Sequence, residues 1–157
     1  MQSMILEHYT ATEGPMDLGS GRDRTQPAYG YKPTGTWLSV RGAEDWHHWH
    51  VANGNRPAPF VHSVELSATA AILLIHDVDG LHALTSSHPG RQGGCWLAGE
   101  TVDWESVSRQ YDGIIIDRHI RTSDPLLSWY NTWDCASGCI WRMRAIATSR
   151  LLTLLPA

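Results

Sequence analysis

Five consecutive residues, Trp46-His47-His48-Trp49-His50, set three imidazoles among two indoles. Imidazole moves protons near neutral pH and ligates metals, so this stretch is the first place to look for chemistry. A helical two-His zinc site spaces its ligands four residues apart and adds a further ligand and a base. Here the His residues are one to three apart, only His47 and His50 share a helical face, and no Glu lies between them. The stretch therefore reads as a solvated helix whose Trp face packs inward, with no metal. Cys135 and Cys139 stand four apart, where zinc knuckles and redox pairs leave two residues between the thiols and supply a second pair. They read as small buried hydrophobes on a strand. Cys95, after Gly93-Gly94, is a nucleophile candidate for which the sequence fixes no partner. There is no Gly-x-Ser-x-Gly elbow and no Gly-Lys-Ser/Thr phosphate loop. Three separated segments remain: His8-Tyr9-Thr10; Lys32-Pro33-Thr34-Gly35-Thr36-Trp37-Leu38-Ser39; and Tyr111-Asp112-Gly113-Ile114-Ile115 followed by Trp133-Asp134-Cys135-Ala136-Ser137. Together they offer imidazole, hydroxyl, indole and carboxylate groups.

The elements that must position these groups are short. Met4 to Tyr9 reads as a first strand, and 10–33 as a long Gly-, Pro-, Asp- and Ser-rich loop without periodicity, a length that is uncommon unless the loop is functional. Thr36 to Val40 reads as a strand. Glu44 to Val51 reads as a short helix with Trp46, Trp49 and His50 on one face, ended by Asn53-Gly54-Asn55 and the Pro57/Pro59 pair. Phe60 to Leu66 alternates as a half-buried strand. Ala71 to Ile75 is a second buried run, and Asp77 caps a helix carrying Val78, Leu81, His82 and Leu84. Pro89 to Gly94 reads as a Gly-rich break, Asp103 to Tyr111 as a helix, and Ile114-Ile115-Ile116 as a central strand apolar on both faces. Arg118 to Thr132 is irregular. Ser137–Trp141 and Ser149–Leu154 read as two closing strands around the corner at 143–146. Six or seven strands and three helices without βαβ regularity predict an α+β domain with a largely antiparallel or split sheet.

At 157 residues the chain is the size of a single domain spanning 1–157. Eight Trp and five Tyr stand against one Phe, a supply of rings that suits a core or a pocket stacking a flat ligand. One Lys accompanies eleven Arg, the net charge is −4 and no basic run occurs, which disfavours general nucleic-acid binding. Three cysteines, no apparent secretory leader and no apolar run long enough to span a bilayer predict a cytoplasmic protein without a membrane partner.

The order of the three segments resembles the ADP-ribosyltransferase superfamily, in particular small uncharacterised proteins of phages and prophages. Gly35-Thr36-Trp37-Leu38-Ser39 is similar to the superfamily's second-strand element, Tyr111-Asp112-Gly113-Ile114-Ile115 to a strand entry of its small toxin-like members, and Ile140 to Ile146 to its late strand and turn. The resemblance runs in scattered pieces from His8 to about Ile146. It implies an α+β fold of split antiparallel sheets with short helices. It implies NAD as cofactor, and transfer of ADP-ribose to a host macromolecule. It makes His8, Ser39 and Asp134 the catalytic candidates and Tyr9, Thr10, Trp37, Trp46 and Asp112 the cofactor-binding ones, with the 10–33 loop lying over the dinucleotide. The sequence departs from the pattern in having no Glu on the late strand. Asp134 substitutes, or Asp112 does, or transfer activity is lost. In the last case the chain is a binding module that sequesters a nucleotide or blocks a host protein. A metal-dependent hydrolase built on the His cluster is a third reading.

Overall fold

A computed structural model describes residues 4–16, 21–92 and 95–154. Among the described residues, nine strands and three α-helices follow one another as β1 (Leu6–Thr10), β2 (Thr36–Val40), α1 (Trp46–Ala52), β3 (Phe60–Leu66), β4 (Ile72–Ile75), α2 (Val78–Ser87), β5 (Pro89–Gln92), β6 (Cys95–Val102), α3 (Trp104–Ser108), β7 (Gly113–Ile116), β8 (Ser137–Ile140) and β9 (Ile146–Leu154). Pro125–Thr132 and Met143–Ala145 form 3-10 turns. Seven strands make one sheet in the order β4-β7-β8-β2-β1-β3-β9, and β5-β6 form a separate hairpin. Every neighbour pair in the large sheet is antiparallel except β4–β7. The fold is thus mixed α+β, dominated by its sheet.

Period-two alternation sorts the strand side chains between two cores. Leu6, Leu38, Val40, Val64, Ile115 and Ile140 join one cluster, closed by Met16, Met143, Ala145 and Ile146. Ile114, Ile116 and Cys139 join the other, covered by Leu81 and Leu84 of α2, Trp104 and Val107 of α3, and Leu127, Trp129, Tyr130 and Trp133. Strand β7 feeds both clusters and is buried throughout, which explains its unbroken apolar sequence. The helices start where their caps dictate: Asp45, Asp77 and Asp103 each accept a backbone N–H of the following turn.

Several expectations are corrected. Pro89 to Gly94 is not simply a break, because Pro89–Gln92 pairs with β6. Ala98 and Gly99 interrupt the β-pattern of β6 and hid it in the sequence. Ala71 to Ile75 is not a buried run throughout, because β4 lies at the sheet edge with Leu74 exposed and only Ile75 of the strand buried. The two strands around the 143–146 corner are as expected, and they part there: β8 sits between β7 and β2, and β9, which begins earlier at Ile146, lies at the far edge against β3. Helix α1 buries no residue fully, so its Trp face is not packed into the core.

Two features shape the site. The β1–β2 ladder consists only of Leu6↔Val40 and Glu7↔Ser39, against five pairs for β1–β3 and four for β2–β8. Beyond it the His8 ring replaces the ladder, its Nδ1–H donating to the Trp37 carbonyl at 2.7 Å. The described part of the 10–33 loop is strapped elsewhere. Gly30 bridges Val102, the Arg24 N–H donates to the Trp141 carbonyl at 2.9 Å, and the Gln26 amide pairs with the Thr34 backbone.

Candidate functional site

A cleft of about 350 Å³ opens where the β1–β2 ladder stops, and His8, Tyr9, Trp37, Ser39, Trp46 and Asp134 all line it. Strands β1 and β2 deliver the first four. Helix α1 delivers Trp46, and the segment entering β8 delivers Asp134. Its volume is at the lower end of the range for small-molecule sites.

The floor is a polar row across the sheet. Glu7 opposes Ser39, and Ser39 opposes Ser137. All three are buried. Ser39 Oγ accepts the Trp46 N–H at 2.9 Å, which ties α1 to the sheet. Ser137 Oγ donates to the Cys135 carbonyl at 3.0 Å. Glu7 accepts from Arg41 Nε at 2.8 Å, also contacts Arg41 Nη2, and accepts from the Tyr9 hydroxyl at 3.0 Å. Burial raises the Tyr9 phenol, and the Glu7 charge and hydrogen bond raise it further, so Tyr9 is a neutral donor. With Nδ1 committed as a donor, His8 carries its lone pair on Nε2 when neutral, an acceptor for a ligand hydroxyl.

The walls are aromatic. Tyr9 lies 4.7 Å from Trp46, and Trp46 lies 3.8 Å from His50, between ring centroids. Trp37 is braced edge-on by Trp133 at 5.0 Å, and Lys32 Nζ stands 5.4 Å from the Trp37 ring centroid. Lys32 is the described loop residue that reaches the cleft, 4.0 Å from the Asp134 carboxylate, with both side chains substantially solvated.

Thr10 and Asp112 do not line the cleft. Thr10 Oγ1 donates to the Thr12 carbonyl and lies 3.3 Å from His62 Nε2. Asp112 is a buried pin. Its carboxylate accepts from Arg144 at 2.9 Å and from the Ala71 N–H at 3.0 Å, joining the 143–145 turn to the start of β4. Glu7, Lys32 and Trp49 line the cleft without having been singled out as site residues. A lone Glu in a strand reads as solvent-facing, and its partner Arg41 is 34 residues away in sequence. Cys135 also lines the cleft, but burial pushes its thiol up to about 11, so it is not a thiolate at neutral pH. The Cys95 side chain lies outside the described residues.

Helix α1 separates this cleft from a larger groove of about 1090 Å³, and Trp49 and Asp134 border both. The N-cap Asp45 and, from the first turn of α1, His47 and His48 line the groove. Burial works against ionisation of Asp45, but the backbone N–H and ring of His48 and the N–H of Gly42 outweigh it and hold the carboxyl below its usual range. The groove is the larger cavity, but the buried polar row and the mutually tilted rings of Tyr9, Trp46 and His50 converge at the cleft.

Among the described residues no helix is long and apolar enough to cross a membrane. No family model, curated protein or solved structure matches the chain.

Proposed function

We propose that the chain is an ADP-ribosyltransferase-like enzyme that binds NAD in the cleft and transfers ADP-ribose to a host macromolecule. One observation carries the reading. His8 of the first strand, Ser39 and Trp37 of the second, and the Asp134 carboxylate meet where the ladder between those strands stops. The ladder between these strands is short, so the site residues meet at a weakly paired point within one seven-stranded sheet, whereas the resemblance implies split sheets.

The residue types suit the reaction. Trp37, Trp46 and Tyr9 provide faces on which a nicotinamide ring stacks. His8 Nε2 accepts from a ribose hydroxyl, and the Ser39 hydroxyl donates to another. The bond between ribose C1′ and the nicotinamide nitrogen breaks, and nicotinamide leaves with the electron pair. The positive charge that develops on the sugar is stabilised by the Asp134 carboxylate. A nucleophile of the acceptor then bonds to C1′, and its proton passes to the carboxylate or to water.

The test is incubation of purified protein with labelled NAD and a bacterial lysate, following nicotinamide release and label transfer together. The parent protein is expected to do both. His8→Ala and Asp134→Ala are expected to lower release by about a hundredfold or more while remaining folded. Parental rates in both variants would remove the assignment.

A second reading is a binding module without turnover. It is favoured by the occupied carboxylates: Glu7 is neutralised by Arg41, and Asp134 stands beside Lys32. On that reading NAD or a related nucleotide is retained and recovered unchanged.

A further inference from the structure

We propose that Asp45, His47 and His48 form a binding site for a single first-row divalent metal ion of the zinc class, with open coordination positions facing the large groove. This does not depend on the NAD reading and reverses the metal-free expectation from sequence spacing. That expectation assumed ligands drawn from one helical face. The structure instead draws the third ligand from the helix cap, one residue before α1 begins.

The geometry is that of a compact ligand set. One ligand atom from each of the three residues lies within 4.8 Å of the other two. The closest contact, His48 Nδ1 to Asp45 Oδ1, is 2.7 Å and is now bridged by a proton. An ion bound at about 2.0–2.2 Å to each ligand sets neighbouring ligand atoms roughly 3–3.5 Å apart. The set therefore needs to adjust by about an ångström, and the exposed His48 and half-buried His47 side chains have room to do so. The buried carboxylate need not move. Its orientation is fixed by the His48 N–H at 2.9 Å and the Gly42 N–H at 3.1 Å, donors of the kind that hold a ligating carboxylate in place. Binding exchanges the shared proton for the metal.

The ligand chemistry selects the ion. Two imidazoles and one carboxylate suit zinc, cobalt or iron, whereas calcium and magnesium call for oxygen ligands throughout. Three protein ligands leave at least one position for water or a bound oxyanion. That position faces a groove whose opposite wall carries His119, Arg121 and Tyr130. A site of this form exchanges ligands, unlike a closed four-ligand structural site.

The experiment uses the full chain without an affinity tag, stripped with a chelator and titrated with cobalt(II) while its visible absorption is followed. Zinc then competes the cobalt away. The parent is expected to bind one ion per chain with visible bands. His47→Ala and His48→Ala are each expected to weaken binding by at least about tenfold, and the double variant to lose the bands. Both side chains are at least partly solvated, so circular dichroism should show the variants folded. Nine histidines leave room for incidental sites, and the double variant controls for them. No saturable binding by the parent overturns the site. So does equal affinity in the folded double variant, which would mean that the ion sits elsewhere.

Discussion

Glu7 carries a buried carboxylate at the floor of the cleft. Its carboxylate is nearly inaccessible, while its ion-pair partner Arg41 is about half solvated. Removing the guanidinium leaves a buried charge held only by the Tyr9 hydroxyl. The full cost of breaking a buried pair, about 3–5 kcal/mol, is reduced here because water already reaches one partner. Arg41→Ala is expected to lose about 1–3 kcal/mol in urea denaturation. Glu7→Gln keeps an acceptor for Tyr9 and discards the charge, so the double variant Arg41→Ala/Glu7→Gln is expected to be more stable than Arg41→Ala alone. If instead the two changes add, the pair contributes nothing specific. The same pairing explains why Glu7 could not be read as a site residue: only the β1–β2 register brings Arg41 next to it.

At the level of elements, β8 is the strand on which cleft and core both depend. It is packed between β7 and β2, and Ser137 at its start joins the polar row of the cleft. Gly138 lies so close to β7 that an added Cβ would stand 2.5 Å from the Ile114 carbonyl oxygen and 2.7 Å from Ile115 Cγ1. Strands on both sides prevent β8 from backing away. Gly138→Ala is expected to cost about 1–3 kcal/mol or more, and to lower ligand affinity by displacing Ser137. Gly42→Ala, whose Cβ would meet nothing within 4 Å, is the control and should stay within about 0.5 kcal/mol of the parent. A Gly138→Ala protein as stable as this control would mean that β8 has slack. The individual elements were largely legible in the sequence, because capping Asp residues and alternation are local signals. What was not legible is non-local. The sequence did not show that β9 pairs with β3 rather than β8, or that α1 borders two cavities without entering the core. For the site, residues on the two adjacent strands, His8, Tyr9, Trp37 and Ser39, were legible as a group. Asp112 was misplaced because a carboxylate before a strand looks the same whether it faces a ligand or pins a turn.

For the molecule as a whole, three histidines in different elements make stability depend on pH in one direction. His50 in α1, His62 in β3 and His88 after α2 all have their protonation pushed below the usual range. Burial is the main cause in each. A neighbouring His47 adds to it at His50 and His8 adds to it at His62, while Asp103 opposes it at His88. In the unfolded chain each takes up a proton near pH 6.5, and in the folded chain each resists to lower pH. Between those values the unfolded state binds more protons, so their contribution is complete above about pH 6.5 and is lost as the pH falls through the folded values. Asp45 and Asp23 have depressed values too, but their contribution is lost only lower, as the pH falls from about 4. Thermal unfolding is therefore expected to show a plateau from about pH 7 to 8, and a decline in Tm that begins as the pH falls below about 6.5, before the carboxylates titrate. His62→Gln, at a buried position whose Nε2 contacts Thr10, replaces a titrating ring with a neutral amide and should flatten that decline. A Tm that stays level in the parent until the carboxylates titrate would show that these rings take up protons without resistance from the fold. A decline that His62→Gln leaves unchanged would place the effect on His50 and His88, at α1 and at the end of α2, rather than in the sheet.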